Sequence, residues 1–277
     1  MYFLLLIIFF ILFYFFTKKY NLSLFISLLI FYLITIFNYN YFYLIIPIFI
    51  SLLFIVFKIN IKKYIILFNF IMIFYICSSI SELISHKYIM HCDKDSFISK
   101  IIKNIPFVNN QYFLTCEKHI QHHKEVEPDM TLNNIKYKES LFMGWNIYLF
   151  IALYILICLL IAKFISNYNI TYKYLVIIGL IITFIWEYLW NKVHIKMHEH
   201  DMDYSIIEGP YDENIFNTNI FKDLLLKNHA YHHLQKGEKK GNYNVIILGA
   251  DEWFGLNNKK IDNSEYCKTN INDKICK

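Results

Sequence analysis

Six apolar runs constrain this chain more than any other feature: residues 2–16, 22–37, 41–57, 64–80, 145–165 and 174–190. A bilayer's hydrocarbon core is crossed by about 20 apolar residues in helical form, and inside it every backbone polar group must find its partner within the segment. The runs therefore predict an all-α integral membrane protein with four to six transmembrane helices. The runs at 2–16 and 22–37 are short, so they tilt poorly, lie partly in the interface, or sit in a thinned bilayer. Run length carries this reading better than composition does. All 27 basic residues are lysine, and Ile and Phe are abundant, as the codon bias of an AT-rich genome would produce, which inflates the 57% hydrophobic content. The opening MYFLLLIIFF has no basic start and no small-residue cleavage site after it, so it reads as a retained anchor rather than a removed signal.

The 11 histidines fall into four groups and nowhere else: HKYIMH from His86, HIQHH from His119, HIKMHEH from His194 and HAYHH from His229. At this histidine frequency one H-x-x-H-H pattern would arise by chance roughly 0.02 times in the chain, and it occurs twice. Each group follows or precedes an apolar run, and the fifth and sixth runs form a hairpin that leaves and returns. All four groups then emerge on one membrane face, where they can share one site. The polar segments 92–140 and 191–277 fold over that face as a histidine-rich helical cap. Lysine distribution puts the cap on the cytoplasmic side, although Lys58, Lys62 and Lys63 then lie across the membrane from it. The net charge of +5 is spread over loops and tail, which argues against nucleic-acid binding. Cys77, Cys92, Cys116, Cys158, Cys267 and Cys276 form no C-x-x-C pair and no disulfide-like framework, and read as structural thiols in a reducing setting.

On a helix, positions i, i+3 and i+4 share a face, so His119, His122 and His123 are expected to point together, as are His229, His232 and His233 and the pair His194 and His198. His86 and His91 are five apart, which on an α-helix turns them away from each other, toward different metals or to either side of a helix end. Ten imidazoles exceed what one ion takes, since zinc uses about four ligands and an octahedral ion six. Two metals are implied. Neutral imidazole suits iron, zinc, copper and nickel alike. The Glu-x-x-His motif of soluble di-iron bundles does not accompany these histidines.

HKYIMH, HIQHH, HIKMH and HAYHH, in this order around the last helical hairpin, resemble the four histidine boxes of the membrane-bound fatty acid hydroxylase and sterol desaturase superfamily. The stretch GNYNVIILGADEWFG after the last box also resembles that family's closing segment, and the likeness covers about residues 64–256. The resemblance implies an organisation of N-terminal transmembrane helices over 1–63, a catalytic domain over 64–256 and a polar tail over 257–277. It implies an oxidoreductase, a di-iron hydroxylase or desaturase that uses dioxygen and two electrons on a fatty acyl, sphingolipid or sterol substrate, with zinc as a substitute metal. Its ligands here would be His86, His91, His119, His122, His123, His194, His198, His229, His232 and His233. His200 has no counterpart. No histidine is left for a fused haem domain, so electrons would come from a separate donor such as a b-type cytochrome and its reductase. An endoplasmic-reticulum-like membrane would suit such chemistry.

Imidazole ligands need their second nitrogen held, usually by a carboxylate or a carbonyl. Glu82, Glu117, Glu125 and Glu187 are candidates, and Glu187 stands out because an acid inside an apolar run is a functional suspect. Asn191, on the face of His194, could hold a water; a polar helix end beside Trp190 is the simpler reading. The 30 residues between His198 and His229, with the acidic DMDYSIIEGPYDEN, are longer than the family pattern and bear on the substrate entrance. Two other classes fit the residues: a zinc-dependent membrane hydrolase-like relative, and a non-catalytic metal-binding membrane protein. Substrate lipid, hydroxylation against desaturation, and oligomeric state are not encoded in these motifs.

Overall fold

A computed structural model describes residues 2–39, 61–91, 96–106, 108–126, 145–194, 197–198, 225, 227–234 and 241–257. Within them the chain is helical, with no extended strand. The helices are α1 (Tyr2–Thr17), α2 (Tyr20–Tyr39), α3 (Ile61–Ile84), α4 (Phe97–Ile102), α5 (Val108–Glu125), α6 (Trp145–Ser166), α7 (Tyr172–Leu189), α8 (Lys227–Leu234) and α9 (Ala250–Trp253). Two π-helical turns, Ser85–Met90 and Trp190–His194, prolong α3 and α7.

Among the described residues, three helical segments are long and apolar enough to cross a membrane: Lys62–Met90, Tyr148–Ser166 and Tyr172–Leu189. They correspond to the runs expected at 64–80, 145–165 and 174–190. A shorter apolar helix covers Tyr20–Ile34. The run at 41–57, Lys58, the 201–214 insertion, His200 and the tail from 258 onward lie outside the described residues.

α3 is the centre of the bundle. It packs on α2 and α6, α6 packs on α7, and α1 packs on α2. Buried Phe31, Tyr32, Phe68, Met72, Ile155, Leu159 and Trp186 fill the space between them. Two polar contacts run through this apolar packing: Asn69 Nδ2 donates to the Asn21 carbonyl at 3.0 Å across the α2/α3 contact, and Ser27 Oγ donates to the Ser23 carbonyl at 2.8 Å. The α6/α7 hairpin turns at Asn167, whose φ of 56° suits asparagine better than a branched residue, and Lys163 Nζ closes the turn by donating to the Ile170 carbonyl at 2.7 Å. The outward faces of α6 and α7 leave Leu149, Leu153, Phe164, Leu180, Phe184 and Ile185 exposed. A contiguous apolar surface of this kind is unfavourable in water and favourable in lipid.

The cysteines depart from the expectation of unpaired thiols. Cys116, buried on α5, is disulfide-bonded to a partner outside the described residues, while Cys77 and Cys158 are free.

Candidate metal centre

All ten histidines of the four motifs that are described come together at the ends of α3, α5, α7 and α8, in two sets of five. His86, His91, His119, His123 and His232 form the first, and His122, His194, His198, His229 and His233 the second; within each set the ligand atoms lie within 4.8 Å of one another. Seven of the ten are buried, with His229 and His232 fully inaccessible.

This partition corrects the expectation that each H-x-x-H-H group acts as one claw. In α5 the i, i+4 pair His119 and His123 enters the first set, whereas His122 enters the second. In α8 the i, i+4 pair His229 and His233 enters the second set, whereas His232 crosses to the first. A one-residue step rotates a side chain by about 100° around a helix of 3.6 residues per turn, so a helix lying between two centres serves both. His86 and His91 also differ from the expectation, since they share a set. The turn between them is π-helical, with His91 N–H bonded to the His86 carbonyl at 3.2 Å, an i to i+5 bond. That winding lays the two rings over each other, with centroids 5.2 Å apart and planes at 19°. Single π-turns inside α-helices recur at functional sites because they re-aim side chains in this way.

The nitrogens converge. In the first set the Nε2 atoms of His86 and His119 are 3.1 Å apart, those of His119 and His91 3.3 Å, those of His91 and His232 3.0 Å, and those of His232 and His123 3.1 Å. His86 Nδ1 faces the Tyr243 carbonyl at 2.5 Å and His232 Nδ1 faces the Gly241 carbonyl at 2.8 Å. A carbonyl only accepts, so both Nδ1 atoms carry the proton and both Nε2 atoms present lone pairs to the centre. In the second set His198 and His233 each place Nε2 3.0 Å from His229 Nε2. Buried His122 has neither ring nitrogen hydrogen-bonded among the described residues. Protonation does not fill these centres cheaply. Burial, then repulsion from neighbouring imidazoles, holds His119, His122, His229 and His233 well below the usual histidine pKa. Converging neutral imidazoles with orphaned buried nitrogens fit metal ions, because an unpaired buried polar atom is costly and a cation takes up the lone pairs. Each set could hold a metal ion.

The carboxylates occupy other positions. Glu82, 3% exposed at the end of α3, accepts backbone N–H bonds from Val245 at 2.9 Å, Ile246 at 2.8 Å and Ile247 at 2.8 Å. Glu117 is exposed on α5. Glu125 accepts from Gln121, and Glu187 Oε1 accepts from Asn191 Nδ2 at 2.5 Å with the Tyr148 hydroxyl also bonded to it. Asn191 is thus held to Glu187.

The segment 241–257 is the scaffold that histidine spacing alone could not reveal. Asn242 Nδ2 donates to Asn228 Oδ1 at 2.7 Å, and Asn228 Nδ2 donates to the Asn244 carbonyl at 2.6 Å, fastening the residue next to His229. Asn244 Nδ2 donates to the Ser79 carbonyl at 2.8 Å, and the Ala250 N–H donates to Ser79 Oγ at 2.9 Å. Asp251 Oδ2 accepts from the Asn244 N–H at 2.5 Å, while Asn244 Oδ1 accepts from the Asp251 N–H at 3.0 Å. Burial pushes the Asp251 carboxyl up to about 6 against the lowering effect of these backbone donors. The same segment supplies both carbonyls that orient His86 and His232. Its sequence signal was the string of asparagines and acids, Asn242, Asn244, Asp251 and Glu252, all buried within an otherwise apolar stretch.

Comparison with known proteins yields no relative: no protein family, no curated protein and no solved structure matches the chain.

Proposed function

We propose that this protein is a membrane-embedded di-metal oxidoreductase, a di-iron hydroxylase or desaturase acting on a fatty acyl, sphingolipid or sterol substrate. The observation that carries the reading is the division of ten histidines into two adjacent sets of five. The order of the histidine motifs, which resembles that of the fatty acid hydroxylase and sterol desaturase superfamily, supplies the choice of iron. In this reading His86, His91, His119, His123 and His232 hold one ion and His122, His194, His198, His229 and His233 the other. Bound iron would supply dioxygen activation with two electrons from a separate donor such as a b-type cytochrome and its reductase.

The chain's own residues do the remaining work. The Tyr243 and Gly241 carbonyls keep His86 and His232 in the tautomer that presents Nε2, and the buried surroundings keep the imidazoles neutral and exclude water. An open apolar cavity of about 120 Å³ reaches His86 from between α3, α5, α6 and α7. Its apolar walls suit a lipid entering from the bilayer.

The proposal carries four to six membrane spans, an endoplasmic-reticulum-like membrane and a cytoplasmic cap. Lysine distribution supports that orientation, whereas the Cys116 disulfide is the observation set against it, because disulfides persist in oxidising compartments. Protease protection of the cap in sealed microsomes decides between the two faces.

Metal analysis of the detergent-purified protein tests the function. About two irons per chain, with turnover of an added lipid that requires both reductant and dioxygen, is the expected result. Two zincs with dioxygen-independent hydrolysis would replace the reading with that of a zinc hydrolase, and a folded protein without metal would end it.

A further inference from the structure

The short helix α4 presents three different faces. A helix of this length does not persist alone in water, and α4 is held in place from one side. Ser96 caps it, its Oγ accepting the Ser99 N–H at 3.1 Å. A run of hydroxyls then leads inward: Ser96 Oγ donates to Ser99 Oγ at 2.9 Å, Ser99 bonds to the Tyr112 hydroxyl on α5, and Tyr112 donates to the Tyr88 carbonyl at 3.1 Å in the first π-helical turn. Ser99 and Tyr112 are buried. Winding of about 100° per residue fixes what points elsewhere. Ile102 lines the cavity that reaches His86. Phe97, Ile101 and Ile105 recur every fourth residue and are 77%, 45% and 41% exposed. The stripe continues through the turn after the helix, where the Asn104 and Ile105 N–H groups bond to the Ile101 and Ile102 carbonyls. Lys100, Lys103 and Asn104, also exposed, occupy the arc beyond that stripe.

Neighbouring elements set the depth of α4. It packs on the π-helical turn that ends the Lys62–Met90 segment. Ile102 shares the cavity wall with Met90, the last residue of that segment, and with Phe150, in the first turn of the Tyr148–Ser166 segment. Both spanning helices therefore reach their ends at the level of α4. Leu149 and Phe150 are themselves exposed on α6, so the apolar stripe of α4 adjoins the surface that faces lipid. From this we infer that residues 96–105 form an interfacial anchor. α4 lies along the bilayer surface, with Phe97, Ile101 and Ile105 in the boundary between headgroups and acyl chains and Lys100 and Lys103 among the lipid phosphates. Three large apolar side chains in one exposed stripe are unfavourable in water, and an apolar stripe flanked by lysines suits that boundary. Lysine stems lie along apolar surface while the ammonium stays wet. The inference rests on the spanning helices and not on the metal chemistry. It makes phospholipid the partner of this face, and it makes one wall of the cavity a helix supported by lipid.

Fluorescence quenching tests this on the full chain. Phe97, Ile101, Ile105, Lys100 or Lys103 is replaced by p-acetylphenylalanine, which carries a small fluorophore and spares the native cysteines. Each protein is placed in nanodiscs of phosphatidylcholine and phosphatidylglycerol, with or without brominated acyl chains. All five positions are exposed, so the replacements leave the packing of Ser99 and Ile102 in place. Brominated lipid should quench the fluorophore at 97, 101 and 105 about twofold more than at 100 and 103, and iodide in the water should quench in the reverse order. Iodide quenching at 97 and 101 equal to that at 100 and 103 overturns the inference, because the stripe is then solvated. Quenching by neither agent at 97 and 101 also overturns it, because protein, such as a second copy of the chain, then covers the face. Metal content is measured on the same samples: failed quenching with two metals still bound removes the anchor and leaves the di-metal reading standing, whereas strong lipid quenching without metal does the reverse.

Discussion

Glu82 holds the backbone of Ile246 from across the bundle, 2.8 Å from carboxylate to N–H, and takes the N–H groups on either side of it as well. An acid near the end of an apolar helix is thus spent on fixing the segment whose Tyr243 carbonyl orients His86. Glu82→Gln turns one oxygen into a donor that faces other donors. We expect a loss of stability on the order of 3 kcal/mol, with depletion of metal from the first set before the second. Thermal denaturation and metal analysis of the variant check both parts; unchanged values in each would remove Glu82 from this role.

The same segment is vulnerable at Gly249. Its φ is 135°, and a methyl group there would lie 2.6 Å from Trp253 Cζ2 and 3.0 Å from the Tyr75 hydroxyl. That hydroxyl donates to the Leu248 carbonyl. Gly249→Ala should cost about 2 kcal/mol through backbone strain and overpacking, read as a lower melting temperature. A neutral result would mean that the turn relaxes freely.

His122 and His123 are neighbours in sequence but belong to different sets. If each set binds metal, His123→Ala should lower the metal content of the first and His122→Ala that of the second, each to about half of wild type because the remaining five-nitrogen set is intact. Spectroscopy of cobalt-substituted protein would show two different residual spectra. Identical residual spectra for the two variants would contradict the partition.

Acid should destabilise the metal-stripped protein. His119, His122, His229 and His233 have folded pKa values well below 6.5, so the unfolded chain takes up protons first and stability falls as pH drops through about 6.5. Asp251 works in the opposite direction: its pKa is raised from 3.8 to about 6, so its contribution is present in acid and lost as pH rises through that value. Four groups outweigh one. The melting temperature after chelation should fall between about pH 7 and pH 5, and more steeply in Asp251→Asn. A flat profile would mean that the imidazoles are already solvated.

Much of the architecture is legible in the chain because lipid imposes a length on apolar helices, and α3, α6 and α7 follow the runs that foretell them. The gathering of the histidine motifs is legible for a similar reason, since hairpin parity returns each motif to one face. Their sorting is not. Equal spacing in the two H-x-x-H-H groups suggests one claw each, but only the packing of α5 and α8 between two centres decides that His122 and His232 turn away from their neighbours. The pairing of His86 with His91 was hidden by the assumption of regular α-helical winding. Glu82 read as an imidazole partner from its position one turn before His86, and its real partners lie more than 160 residues away.

Two peptide units, His122 to His123 and His232 to His233, each join one histidine set to the other. Consecutive Cα atoms are about 3.8 Å apart, a length fixed by covalent bonds. The interval between two bound ions would therefore be gauged by the main chain itself and not by how closely the helices happen to pack. A thicker or thinner bilayer, which retilts spanning helices, would change the approach of a substrate and leave that gauge untouched.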